Sequence, residues 1–288
     1  MPPITESHVT DSIAEALQFV ACYHPPDFIA ALSRAHAAEE SPAAREAIAQ
    51  ILVNSRMCAL GQRPICQDTG VANVFVDIGV QARLDWHRPL QDIVDDAVRR
   101  AYRLDSNPLR ASVVRDPFDS RQNTGDNTPA MIQTRMVAGD RVEITVSAKG
   151  GGSENKTRFA VLAPSASVAD WVVEQMRGMG AGWCPPGLLG LGIGGSVDKA
   201  MAMAKEALND PIDLDALRAR GPQSAAERLR LEICDRVNAL GLGAQGLGGL
   251  TSVLDVKIRH FPTHAASLPV ALIPNCAATR HVRFTLDG

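Results

Sequence analysis

Three runs of glycine constrain this chain more than any other feature: GGG at 150–152, GLLGLGIGG at 187–195 and GLGAQGLGG at 241–249. Glycine lacks a Cβ, so it turns through conformations other residues avoid and lets backbone amides come close to a ligand. With 23 glycines and 18 prolines, clustered rather than spread, the chain is a poor candidate for a helical bundle. GIGGS ahead of a helical pattern resembles a phosphate loop, but G-x-x-x-x-G-K-[ST] does not occur. GLGIGG is only a partial match to the dinucleotide pattern and follows no convincing strand. The plain reading of all three runs is turns and tight packing.

Between these runs the periodicity is mixed. Residues 9–58 read as helices, with PP at 25–26 as a break and Ser41-Pro42 as a capped restart. VANVFVDIGVQARL (71–84) reads as a strand or strand pair, and LQDIVDDAVRRAYRL as an amphipathic helix. MIQTRMV and RVEITVSAK look like a hairpin around AGDR, and SVV at 112–114 like a short strand. RFAVLAPS is a further strand, 166–179 a helix, and 184–208 a loop that feeds a helix. A helix near 225–238 follows, then the third glycine run and three closing strands. The expected fold is α+β (mixed): N-terminal helices, then mixed strands and helices around glycine-rich loops. It is read as one domain, 1–288, with a helical lead at 9–60 and a core at 61–288.

At 45% hydrophobic, 21% charged and a formal charge of -3, the chain has the make-up of a globular protein. That balance argues against a nucleic-acid partner. The first residues carry acids and no apolar run, and the longest apolar stretch is short and full of glycine. A cytoplasmic location without membrane contact is the default expectation.

Six cysteines stand at 22, 58, 66, 184, 234 and 276. Without a secretion signal or a CxxC, neither a disulfide framework nor a zinc knuckle is expected. Cys22, Cys58 and Cys234 sit among helical apolar neighbours and read as packing residues. Cys66, Cys184 and Cys276 sit beside proline or glycine in loops. Three loop thiolates could hold an iron–sulfur cubane with one iron left open as a Lewis acid. A nucleophilic thiol, or three more packed cysteines, are the alternatives. In RPICQDTG (63–70) Cys66 is followed by an amide and a carboxylate, which is also ordinary turn chemistry.

Six blocks, in this order, resemble the α subunit or N-terminal domain of class I iron–sulfur hydro-lyases, the fumarase and L-tartrate dehydratase family. They are ICQDTG at 65–70, LRASVV with RQNTGDNTPA at 109–130, AKGGGSENK at 148–156, CPPGLLGLGIGG at 184–195, GLGAQGLGG at 241–249 and THAASLPVALIPNCAATRH at 263–281. The resemblance implies a [4Fe–4S] cluster on Cys66, Cys184 and Cys276 whose fourth iron meets the substrate. It implies Gln67 and Asp68 beside the substrate, with Asp68 in a catalytic role, and Arg110 as a clamp for a carboxylate. It further implies an approach by the loop Gly150, Gly151 and Gly152, represented by Gly151, and a catalytic His264 near the active site. Lys149, Asn155 and Lys156 are held as supporting groups, and Asn127 and Thr128 lie in a matching block without a derived role.

Single-chain members of that family carry a further domain that supplies more arginines, a lysine and a threonine proposed as base. The resemblance therefore implies the cluster-bearing half of the enzyme, completed by a β subunit or a C-terminal domain and nearly inactive alone. Homo-association is implied as well. The implied reaction is hydration of a small dicarboxylate. AKGGGSEN and DNTPA are read as favouring fumarate, giving (S)-malate in the tricarboxylic acid cycle, over L-tartrate or a related diacid. A non-enzymatic scaffold subunit and a nucleophilic-cysteine hydrolase are the rivals.

Overall fold

The computed structural model describes residues 2–287. In chain order the elements are β1 (Ile4–Thr5), α1 (Glu6–Cys22), α2 (Pro26–Ala38), α3 (Pro42–Gly61), β2 (Val71–Gly79), β3 (Leu84–Asp85) and α4 (Leu90–Tyr102). Next come β4 (Met131–Val137), β5 (Val142–Lys149), α5 (Gly151–Glu154), β6 (Arg158–Leu162), α6 (Val168–Met179), β7 (Gly187–Gly194) and α7 (Val197–Ala207). The series closes with α8 (Leu214–Arg220), α9 (Ala225–Asn238), β8 (Val253–Phe261), β9 (Leu268–Asn275) and β10 (His281–Leu286). The chain is thus a mixed α+β protein that leads with helices, as its periodicity predicts. It divides into two compact units: Met1–Pro25 with Ser55–Gly151 and Arg280–Gly288, and Pro26–Asn54 with Gly152–Thr279.

The first unit is a four-stranded sheet in the order β10-β5-β2-β4, covered on one face by α1 and α4. Helix α1 starts where Thr5 Oγ1 accepts the His8 amide at 3.2 Å and the His8 ring accepts the Thr5 amide in return. This reciprocal cap satisfies two amides that would otherwise lack intrahelical partners. Ile93, Val94, Ala97, Val98 and Ala101 recur at helical spacing on α4. They pack with Val9, Ile13 and Leu17 of α1 on Ala72, Val74 and Val76 of β2 and Val142, Ile144 and Val146 of β5. Burying each such branched side chain stabilises the unit by roughly 1.5–3 kcal/mol.

The hairpin expected around AGDR does not form. β4 and β5 are not neighbours: β2 lies between them, parallel to β4 and antiparallel to β5. The connection instead caps the end of β2, with the Gly79 amide on Arg141 O at 2.8 Å and the Gln81 amide on Gly139 O at 2.9 Å. A Cβ at Gly79 would lie 2.4 Å from Gly139 O, so this crossing needs glycine. Val114 of the expected SVV strand makes only an isolated bridge, to Asn123.

The second unit holds the sheet β6-β9-β7-β8. Its two apolar clusters are one of α6, α8 and α9 residues with β7 and β8, and one of α2, α3 and α7 residues with β7, β8 and β9. Here the second glycine run departs from its expected form. Gly187–Gly194 is a buried strand, not a loop. Gly190 and Gly192 face α7 so closely that a Cβ would lie 2.2 Å from Ala204 O and 1.9 Å from Ala200 O. The glycines bring a helix backbone onto a strand backbone. GGG at 150–152 likewise opens one helical turn, α5, whereas 241–249 remains an irregular loop with several left-handed glycines.

Candidate functional site

The six cysteines sort as their surroundings predict. Cys22, Cys58 and Cys234 are buried in α1, α3 and α9. Burial pushes the Cys22 and Cys58 thiols up and drives Cys234 to about 12. Thiols held protonated make poor metal ligands. Cys66 and Cys276 are half-buried and Cys184 is exposed, all outside helices.

Cys66, Gln67 and Asp68 form a turn in the first unit. It is anchored before Cys66 by the Ile65 amide on Ala21 O at 2.8 Å. Cys66 Sγ donates to Oε1 of the exposed Gln67 at 3.2 Å. Asp68 is tethered at both oxygens: Oδ1 accepts the Gly70 amide at 2.9 Å and Oδ2 the Gly151 amide at 2.7 Å. The GGG run is therefore brought to the carboxylate by a main-chain donor. Gly70 has φ 82, and a Cβ there would lie 2.9 Å from the Lys149 backbone, so the turn ends on glycine for two reasons.

Three further groups lock the turn. Thr69 Oγ1 donates to Arg110 O, which ties the exposed Arg110 to it. Arg110 makes no ion pair among the described residues. Asn127 Nδ2 donates to Gly70 O at 2.9 Å while its Oδ1 accepts the Ser112 and Val113 amides. Tyr102 OH donates to Gly70 O at 3.2 Å, and burial pushes its hydroxyl up to about 12, so it stays a donor. Lys149 is buried, while Asn155 is exposed and Lys156 half-buried. In the sequence an Arg directly after a loop threonine, as at Arg280, carries no signal, and Tyr102 reads as one more apolar position of α4.

In the second unit Cys184 and Cys276 are brought together. β7 and β9 run antiparallel with Leu188 opposite Asn275, so the residues before β7 and after β9 share one end of the sheet. The Ala277 amide donates to Cys184 O at 3.0 Å. Cys184 is in the left-handed region at φ 58.

His264 does not share that end. It lies in the turn between β8 and β9, and the eight residues of β9 separate it from Cys276. At about 3.4 Å per residue that is roughly 25 Å. His264 is exposed, accepts the Ala266 amide at Nδ1 (3.1 Å), and lines a surface pocket of about 600 Å³ with Lys199, Ser196 and Phe261.

Among the described residues no group of three or more His, Cys, Asp and Glu side chains is gathered tightly enough to hold a metal ion. The donor set suits iron in kind: loop thiols at Cys184 and Cys276, whose backbones meet, and a third loop thiol at Cys66, against three thiols that burial keeps protonated.

The family model for fumarate hydratase (Fumerase) matches residues 10–285. A Methanocaldococcus jannaschii protein named as a candidate L(+)-tartrate dehydratase subunit alpha is 33% identical over 290 residues, covering 97% of this chain and 99% of its own. The L(+)-tartrate dehydratase subunit alpha of Escherichia coli K12 is 31% identical over 277 residues, covering 94% of this chain and 88% of its own. The chain belongs to the fumarase and tartrate dehydratase family of class I hydro-lyases.

Proposed function

We propose that this chain is the alpha subunit of a hydro-lyase that removes water from L(+)-tartrate or a closely related 2-hydroxydiacid. The family's common activity is addition or removal of water at a diacid. The tartrate reading, first held as the alternative, is now preferred to fumarate because the relatives at 33% and 31% identity carry that name. The observation that carries the proposal is the tethered Asp68 carboxylate in one turn with Cys66 and Gln67, beside the unpaired Arg110.

The proposed roles follow from chemistry. Arg110 takes a substrate carboxylate, for which a planar guanidinium offers a bidentate fit. The exposed Gln67 side chain and the main chain at Gly151 orient the diacid. Asp68, fixed by two amides, has lone pairs left to accept a hydroxyl or carbon proton within hydrogen-bond reach. Cys66, Cys184 and Cys276 are the ligands proposed for a [4Fe–4S] cluster. When bound, such a cluster supplies Lewis acidity toward the hydroxyl that leaves. His264 enters the proposal as a residue acting only in an assembled complex, given its place at the far end of β9. The partner is a β subunit, since the relatives are named alpha subunits.

The test is an anaerobic assay of the iron-loaded chain co-expressed with its partner subunit, on L(+)-tartrate, D-tartrate, malate and fumarate in parallel. The expected result is highest kcat/KM on L(+)-tartrate. Highest kcat/KM on fumarate or malate would return the assignment to the fumarase reading, and no turnover of any diacid would favour a scaffold.

A further inference from the structure

Arg280 is a buried cation in the first unit. It is 2% exposed, yet it forms no ion pair among the described residues. Its Nη1 donates to Asp68 O at 2.8 Å, and its Nε is buried without any partner. A buried guanidinium with an unmet N–H is destabilising unless the position serves something else.

Its surroundings say what that is. A Cβ built on Gly150 would lie 3.2 Å from Asp68 Oδ2 and 3.5 Å from Arg280 Nη2. The carboxylate and one guanidinium nitrogen therefore both border the space that a side chain at Gly150 would fill. From the other side Gly151 donates to the same Oδ2. Arg280 thus grips the main chain of Asp68 while its charge stands beside the carboxylate, and the missing Cβ at Gly150 leaves room for both.

We infer that Arg280 is a positioning residue for the Cys66-Gln67-Asp68 turn: it holds the turn's main chain and aims the Asp68 carboxylate. This deepens the proposed function and rests on it only for the kinetic part of the test. Two consequences follow. Without Arg280 the turn should loosen locally, exposing Cys66 while leaving Cys184 alone. In the complex the loss should fall on turnover, because Asp68 would be misaimed with the clamp at Arg110 intact.

The experiment uses Arg280→Met, Arg280→Lys and Gly150→Ala. In the full-length, iron-free chain, iodoacetamide alkylation is followed by peptide mapping at Cys66 and Cys184. The expected result is roughly tenfold faster labelling of Cys66 in Arg280→Met, a smaller rise in Arg280→Lys, and unchanged Cys184. In the iron-loaded complex, kcat should fall roughly 10- to 100-fold with KM nearly constant and iron content retained. Gly150→Ala should reproduce the kcat loss with Arg280 present, because its Cβ presses on Asp68. Equal acceleration at Cys66 and Cys184 would mean general destabilisation and overturn the inference, as would an unchanged Cys66 rate in both Arg280 variants. A parent complex inactive on every diacid would remove the proposed function yet leave the labelling result to stand or fall separately.

Discussion

Asp68 illustrates how much of a site can depend on main-chain donors. Neither of its tethers is a side chain, so no substitution at a neighbouring polar residue would replace them. Around it, the residues differ in what their loss should read out. Single serine substitutions at Cys66, Cys184 or Cys276 should each abolish most of the bound iron counted after anaerobic reconstitution. The same change at Cys22, Cys58 or Cys234 should leave iron in place, since burial keeps those thiols protonated. Full iron retention in Cys184→Ser would remove the ligand assignment. Arg110→Lys keeps the charge but loses the fork and should cut kcat/KM by about tenfold or more, mainly through KM. His264→Asn should lower kcat of the assembled complex with iron unchanged. An unaltered kcat would confine His264 to its turn.

At the scale of elements, packing and capping set the stabilities. From a left-handed backbone at φ 64, Asn127 makes two hydrogen bonds within the 109–130 segment, to the Ser112 and Val113 amides, and one that joins it to the Gly70 turn. Asn127→Ala leaves buried amides unmet, so a loss of about 2–4 kcal/mol is expected from urea unfolding. Gly192→Ala puts a Cβ against Ala200 O of α7 and should cost at least about 3 kcal/mol, because two backbones must separate. A soluble protein with an unchanged midpoint would refute the close helix–strand contact. Acid should act on the second unit through Asp213. Its burial opposes ionisation, but hydrogen bonds and charge from Lys257 and Arg230 win and hold it at about 2, below the ordinary 3.8. A depressed folded value means stability that is complete above 3.8 and is lost as pH falls toward 2. Asp213→Asn should therefore flatten the pH dependence of the melting temperature in that window, which differential scanning calorimetry would measure.

At the scale of the whole molecule, each unit holds a different part of the proposed chemistry. The first holds the tethered carboxylate, the arginines and one loop thiol; the second holds two loop cysteines at one end of its sheet. No helix among the described residues is long and apolar enough to cross a membrane. The proposed alpha-subunit role predicts that the iron-loaded chain alone turns over diacid at least about a hundredfold more slowly than the complex with its partner, because positioned groups carry rate factors of that order. Comparable rates from the isolated chain would mean that it needs no partner subunit to complete the site.

Local pattern was enough for the helices, for the split of six cysteines into buried and loop-borne sets, and for the CQD turn. Each depends on spacing or neighbours within a few residues: apolar positions every third or fourth residue in α4, proline and glycine beside Cys184. Partner choice between strands was not legible. β4 and β5 are joined by a short turn, yet β2 lies between them because pairing is decided by which strands share the core face, not by proximity along the chain. The second glycine run failed for a related reason. Glycine permits both a loop and a very close approach, and only the position of the α7 backbone makes Gly190 and Gly192 the latter. The burial of Arg280 and the distance of His264 from Cys276 likewise arise from contacts and strand lengths that come into being when the sheets assemble.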